Sequence, residues 1–219
     1  MDAYIKEQAN PKACVIWMHG LGADAQDMAG LTEQLSINIP VRHICVNAAV
    51  RPVTMNNNFP MRAWFDIANL DFNEFGEPAG IFDSERMIQE IIANQIGQGL
   101  THEQIFLAGF SQGGAMALFA GLRSSTPLGG IIALSSFLPN VLQVQQMHKN
   151  IPVFMAAGIY DQIVLPVWTK ASMNWLQAQG FANITYREYP LEHSISMQEI
   201  QDLSHWFNQQ LPVVSGGAR

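Results

Sequence analysis

The sequence predicts an α/β fold: a mostly parallel central sheet with helices on both faces and no large cap domain. Three observations predict it. Short apolar runs rich in β-branched residues recur along the chain, helical periods lie between them, and a serine flanked by glycines stands where one run gives way to a helix-forming stretch. With 219 residues the chain is long enough for one well-buried domain spanning residues 1–219.

In chain order, the runs "ACVIWM" (13–18), "VRHICVN" (41–47), "QIFLAGF" (104–110), "GGIIALS" (129–135), "PVFMAAG" (152–158) and "ITYREYP" (184–190) read as mostly buried strands. Residues 83–99 set Met87, Ile88, Ile91, Ile92 and Ile96 on one helical face, with Asp83 or Ser84 as N-cap and Gly97 or Gly99 near the stop. A second helix is expected from about 167 to 179, ending at Gly180. A third, near 196–209, carries Ile200, Leu203 and Phe207 at helical spacing. Strands alternating with helices require crossover connections and therefore a parallel sheet. The tail "VVSGGAR" is expected to fray.

Residues 48–80 break the alternation. A connection this long is usually functional or disordered, and Met55, Phe59, Met61, Trp64, Phe65, Leu70, Phe72 and Phe75 argue against disorder. Two readings remain: a satellite core at the sheet edge, or a loop or flap covering a pocket.

Composition narrows the function. Hydrophobic residues make up 48% and charged residues 13%, so much apolar surface must be buried or used in binding. A formal charge of −7, with 11 scattered basic residues, argues against a nucleic-acid partner. Cys14 and Cys45 lie inside strand-like runs and read as buried reduced thiols. The opening "MDAYIKEQANPK" is polar and "ACVIWM" is far too short for a signal or a membrane span, so a cytoplasmic location is expected.

The serine motif is "LAGFSQGGAMA" (107–117). G-x-S-x-G at a strand-to-helix junction places Ser111 at the apex of a sharp, strained turn, where side chains at 109 or 113 would collide with neighbouring backbone. A serine nucleophile needs a base and a carboxylate to orient it, and in the hydrolase fold with this elbow the chain order is serine, acid, histidine. Downstream lie His148, His193 and His205, and the acids between Ser111 and His193 are Asp161, Glu188 and Glu192. His148 has no acid before it, and His205 falls within the last helix. Glu188 lies within a strand and Glu192 adjoins His193. Asp161 and His193 both follow predicted strands at the carboxyl edge, where ligands gather in open α/β sheets. Ser111, Asp161 and His193 survive.

An oxyanion needs two aimed donors. The backbone N–H of Gln112 opens the helix after the serine, and "MHGLGAD" (18–24) follows the first apolar run, which nominates the N–H of Leu21. His19 precedes the serine and reads as a structural residue beside that loop. No H-E-x-x-H and no cysteine pair at ligand spacing suggest a metal.

The segments "HGLGAD", "VRPVTMNNNFPMRAWFDI", "GFSQGGAMAL", "ALSSFLP" and "EHS" resemble, in the same order, the carboxylesterase and acyl-protein thioesterase group of α/β-hydrolases, over about residues 12–208. The resemblance implies an α/β-hydrolase fold, no metal or organic cofactor, and cleavage of acyl esters or thioesters, including those of lipids or acylated proteins. It matches Ser111, Asp161 and His193 to the triad and Leu21 and Gln112 to the oxyanion donors. Ile67, Leu70, Phe137 and Ile163 fall where members of the group line an acyl channel, and Trp64 is expected to contact substrate or report on a flap. This sequence departs from the group's pattern in "HGLGADAQD", "GIYDQIV" and "YPLEHS". The apolar content of 53–75 suggests transient membrane contact, and exposed apolar surface would equally serve a homodimer. Competing readings are a lysophospholipase and a catalytically silent hydrolase scaffold that serves as an interaction module.

Overall fold

The computed structural model describes residues 2–68, 78–139 and 148–211. A seven-stranded sheet runs through its centre. In chain order its strands are β1 (Ala3–Glu7), β2 (Ala13–Met18), β3 (Val41–Val46), β6 (Ile105–Phe110), β7 (Gly130–Leu134), β8 (Val153–Gly158) and β9 (Ile184–Tyr189). Their spatial order is β1-β3-β2-β6-β7-β8-β9. Every neighbouring pair is parallel except β1 with β3, so the mostly parallel sheet expected from the apolar runs is present. The short strands β4 (Val50–Val53) and β5 (Phe59–Arg62) form a separate hairpin.

Alternation along each strand divides the core in two. In β2, Cys14, Ile16 and Met18 join one buried cluster, and Ala13, Val15 and Trp17 join the other. The first cluster takes the apolar faces of α2 (Ile81–Gly97), α3 (Gln112–Leu122) and α4 (Pro166–Ala178). The second takes those of α1 (Ala25–Thr32) and α5 (Met197–Gln210). Helix α3 is buried along its whole length, which suits its nearly uniform apolar sequence.

Sequence expectation and structure differ in several places. Helix α2 begins at Ile81, two residues before the expected start, and neither Asp83 nor Ser84 caps it. Gly80 occupies the N-cap position with φ 87°, and the Ser84 hydroxyl donates instead to the Trp64 carbonyl. The helix ends at Gly97, and Gly99 turns the chain with φ 101°. Strand β1 lies in the polar N-terminal segment, at the sheet edge, where only part of its surface is covered. Helix α1 is a short element capped by Asp24, whose carboxylate accepts from the Gln26 N–H at 2.8 Å.

The described part of the 48–80 stretch is a hairpin followed by residues that turn into the interior. The β4–β5 turn uses Asn57 and Asn58 at φ 54° and 59°, which is the structural role of the asparagine run. Pro52 faces Pro60 across the hairpin, so neither can donate to the ladder. After the hairpin, Ala63 is buried and Trp64, Phe65 and Ile67 turn into the first core cluster. Leu70, Phe72 and Phe75, and the tail from 212, lie outside the described residues.

Cys14 and Cys45 are free thiols, fully buried, and burial pushes both up to about 12. Among the described residues no helix is long and apolar enough to cross a membrane.

Candidate active site

Ser111 stands between β6 and α3 with φ 54° and ψ −122°, a backbone conformation that L-residues rarely adopt. The surrounding glycines have the expected steric cause. A Cβ on Gly109 would lie 2.2 Å from the Gly113 carbonyl carbon, and one on Gly113 would lie 2.1 Å from the Met18 carbonyl oxygen. Hydrogen bonds fix the turn: the Ser111 N–H donates to Leu134 O at 2.9 Å, and the Ser136 hydroxyl donates to Ser111 O at 2.7 Å. Thr169 Oγ1 in turn donates to Ser136 O at 2.6 Å, tying α4 to the end of β7. Beside it, Ser135 also has a positive φ, 44°, so two strained residues sit at adjacent strand ends.

Asp161 and His193 meet across the carboxyl ends of β8 and β9. The His193 Nδ1–H donates to Asp161 Oδ2 at 2.7 Å, which leaves Nε2 with its lone pair. The Asp161 side chain is completely buried. Its other oxygen, Oδ1, accepts the N–H groups of Ile163 (2.8 Å) and Val164 (2.9 Å), so backbone donors complete the hydrogen bonding of the carboxylate. A Cβ on Gly158 would lie 2.5 Å from Leu191 O and 2.6 Å from Glu192 O. Glycine there lets the chain leading to His193 lie against the end of β8. The Phe110 ring, one residue before Ser111, packs on the imidazole with centroids 4.6 Å apart. His193 and Ser111 line one cavity of about 830 Å³, and Leu21 and Ile163 line it too. An imidazole held by a buried carboxylate in the same cavity as a hydroxyl can accept that hydroxyl's proton.

The loop after β2 is fixed around His19. Its Nδ1–H donates to Gly20 O at 2.7 Å and its Nε2 accepts the Ala48 N–H at 3.1 Å, so both ring nitrogens are engaged and the ring is neutral. Burial lowers its proton affinity. This is the structural position that chain order assigned to it. The next two amides past Leu21 are engaged, Gly22 N–H with Arg62 O at 2.8 Å and Ala23 N–H with Gly20 O at 3.2 Å, which fixes the turn at Leu21. The Gln112 N–H belongs to the first turn of α3, whose amides have no partner within the helix.

The residues that the resemblance places in contact with substrate occupy different surroundings. Ile163 lines the cavity and is half exposed. Trp64 is fully buried, donates its indole N–H to His19 O at 2.8 Å and packs on the His19 ring, so it supports the loop from behind rather than lining the cavity. Ile67 and Phe137 belong to the first core cluster. Leu70 lies outside the described residues.

Sequence reasoning missed the side chain of Gln112. It accepts the Trp64 N–H at 2.9 Å and donates to Phe65 O at 2.8 Å, clamping the buried end of the 48–80 stretch to the first turn after the serine. The sequence signal for it is limited to an amide side chain directly after the serine and an aromatic stretch of no periodicity elsewhere in the chain. Among the described residues, no group of three or more His, Cys, Asp or Glu is placed to hold a metal ion.

Comparison with known proteins identifies the family. The pattern of the phospholipase/carboxylesterase family matches residues 2–211. "Acyl-protein thioesterase 1 homolog 1" of Dictyostelium discoideum is 33% identical over 218 residues, covering 96% of each chain. "Acyl-protein thioesterase 1" of Emericella nidulans is 33% identical over 223 residues, covering 94% of this chain and 93% of its own. Among solved structures, Arabidopsis thaliana SOBER1 superimposes with a TM-score of 0.80 at 27% identity, over 90% of this chain and 98% of its own. The chain therefore belongs to the phospholipase/carboxylesterase family of α/β-hydrolases.

Proposed function

We propose that this chain removes acyl groups from S-acylated protein, with Ser111 as nucleophile, His193 as general base and acid, Asp161 as its orienting partner, and the N–H groups of Leu21 and Gln112 as oxyanion donors. As a member of its family it is a serine hydrolase acting on acyl esters or thioesters. The thioester preference is supported by the names of its 33% identical relatives, which are acyl-protein thioesterases. The observation that carries the residue roles is the 2.7 Å Asp161–His193 hydrogen bond at a cavity that Ser111 also lines.

In the reaction, Nε2 of His193 takes the Ser111 hydroxyl proton as the oxygen attacks the acyl carbonyl. The tetrahedral oxyanion forms between the two backbone donors, each worth roughly 3 to 4 kcal/mol in hydrolases of this type. Collapse expels the thiolate or alkoxide, which takes the proton from the imidazolium, and the acyl group stays on Ser111. Water then gives its proton to His193 and attacks the acyl-enzyme, regenerating the serine and releasing the carboxylic acid.

The experiment compares an S-acylated peptide, lysophosphatidylcholine and p-nitrophenyl esters with the wild type and Ser111→Ala. The proposal expects the peptide thioester to be preferred, and the variant to lose on the order of 10⁴-fold or more in kcat on every substrate cleaved. Preference for lysophosphatidylcholine would replace the substrate assignment. Undiminished turnover by Ser111→Ala would remove the nucleophile.

A further inference from the structure

His193 lies in the loop between β9 and α5, outside any regular element. The hydrogen bond from its Nδ1–H to Asp161 holds one corner of the imidazole and leaves the ring plane free to turn about that bond. The ring of Phe110 lies against that plane, with centroids 4.6 Å apart and a tilt of 40°. Alternation along β6 puts it there. Phe106 and Ala108 belong to the second core cluster, and Phe110 follows on the same side, partly packed against that cluster. Its backbone is fixed by the pairing of β6 with β7, where Phe110 stands opposite Leu134. The same ring borders the loop after β2: a Cβ on Gly20 would lie 3.4 Å from Phe110 Cδ1 and 3.5 Å from Ser111 Cβ. Gly20, Phe110, Ser111 and His193 all line the cavity.

We infer that Phe110 is a positioning residue, whose ring sets the plane of the His193 imidazole and stabilises the positive charge that the imidazole acquires during the reaction. The inference rests on the proposed roles of Ser111 and His193. In acylation Nε2 takes the proton from Ser111 Oγ and returns it to the leaving group; in deacylation it takes one from water and returns it to the serine. Both half-reactions therefore pass through an imidazolium beside the Phe110 ring. A cation within about 6 Å of an aromatic face is attracted by the ring quadrupole, more strongly where water is excluded. The His193 side chain is only 19% exposed, so the attraction is weakly screened. It is worth roughly 2- to 30-fold in rate. The neutral imidazole of the resting enzyme gains little from the quadrupole, so the contribution belongs to kcat rather than to substrate binding.

A side chain that only filled space could be replaced by leucine, and its electron density would be irrelevant. The experiment separates the two roles. It measures kcat and KM for p-nitrophenyl acetate with the wild type, Phe110→Leu, Phe110→Tyr, and protein carrying mono-, di- or trifluorinated phenylalanine at position 110. Fluorine withdraws electron density from the ring face and leaves the shape of the ring nearly unchanged. Stepwise loss of kcat with each added fluorine is expected, with KM held within about twofold. Phe110→Leu should lower kcat by roughly 2- to 30-fold, and Phe110→Tyr, which keeps the ring, should restore it.

A kcat indifferent to fluorination would overturn the inference, because the ring would then act by bulk alone. A rise in KM in place of the fall in kcat would make Phe110 a substrate contact and overturn it equally. If circular dichroism shows Phe110→Leu to be unfolded, the fluorinated series, which preserves the packing, decides alone. Failure of the proposed nucleophile is read separately, from fluorophosphonate labelling that persists in Ser111→Ala.

Discussion

Replacing Gly113 with alanine adds one methyl group between the two loops that frame Ser111. The new Cβ would lie 2.1 Å from the Met18 carbonyl oxygen and 2.6 Å from that of His19, both backbone atoms at the end of β2. Ordinary contact begins near 3.4 Å, so the start of α3 and the β2 loop must separate by about 1 Å. Overpacking of this kind costs roughly 1 to 3 kcal/mol of stability. The functional cost is larger in proportion, because the two proposed oxyanion donors, Leu21 and Gln112, sit one on each side of the gap. A misplacement of about 1 Å is worth on the order of 100-fold in rate, or about 2.7 kcal/mol in the barrier. The assay is kcat/KM on p-nitrophenyl acetate together with the urea midpoint, with Gly97→Ala as the reference glycine replacement in open space. Gly113→Ala that stays folded and retains activity within threefold of wild type would refute the claim that this contact sets the catalytic geometry.

Asp161→Asn should reduce kcat by on the order of 10⁴-fold while the protein remains folded, because an amide no longer holds Nδ1 protonated; hydrolysis rates with a circular dichroism control check this. Gln112→Leu strips the partners from the Trp64 N–H and the Phe65 carbonyl, two buried groups at about 1 to 3 kcal/mol each, so the unfolding free energy read from urea titration should fall by about 2 to 6 kcal/mol. On the acid side, burial lowers His43 to about 4, where its Nδ1 accepts the Trp17 indole N–H. The unfolded chain binds that proton first, so the His43 contribution is intact above pH 6.5 and is lost as pH falls toward 4, and His43→Gln should flatten that part of the melting-temperature profile. On the alkaline side, burial raises Glu199 to about 8. The folded state then binds the extra proton, so stability falls as pH rises from about 4.5 through 8, by a few kcal/mol at order of magnitude, and Glu199→Gln should remove that slope.

The sequence revealed the parts of the fold whose signal is local. Six strands and three helices follow from apolar runs and helical spacing, because a buried parallel strand must be apolar on both faces; β9 departs from the expected burial, since it is the far edge of the sheet and only its Tyr189 is buried. Strand β1 escaped detection because an edge strand can be polar: "AYIKE" is held by its pairing with β3 rather than by burial. Helix α1 is too short for periodicity to stand out, although the Asp24 cap was visible. The meeting of Asp161 and His193 was legible because order and strand ends constrain it. Their approach to each other also depends on Gly158, whose role appears only when the 191–192 backbone lies against it. Trp64 illustrates the opposite case. An aromatic residue in an irregular segment suggests a mobile contact, but its indole N–H finds the His19 carbonyl and its ring joins the core. The cavity that Ser111 and His193 share is also lined from α1 and the start of α5, 165 residues apart in sequence counting from Met197 back to Thr32, and no local pattern marks it.

In the proposed reaction the Ser111 hydroxyl carries the acyl intermediate. Labelling the native enzyme with a fluorophosphonate, digesting it and locating the adduct by mass spectrometry tests this directly. A single adduct on Ser111 is expected, one that vanishes in Ser111→Ala and forms far more slowly in Asp161→Asn. An adduct on any other residue, or one that persists when Ser111 is gone, would contradict it.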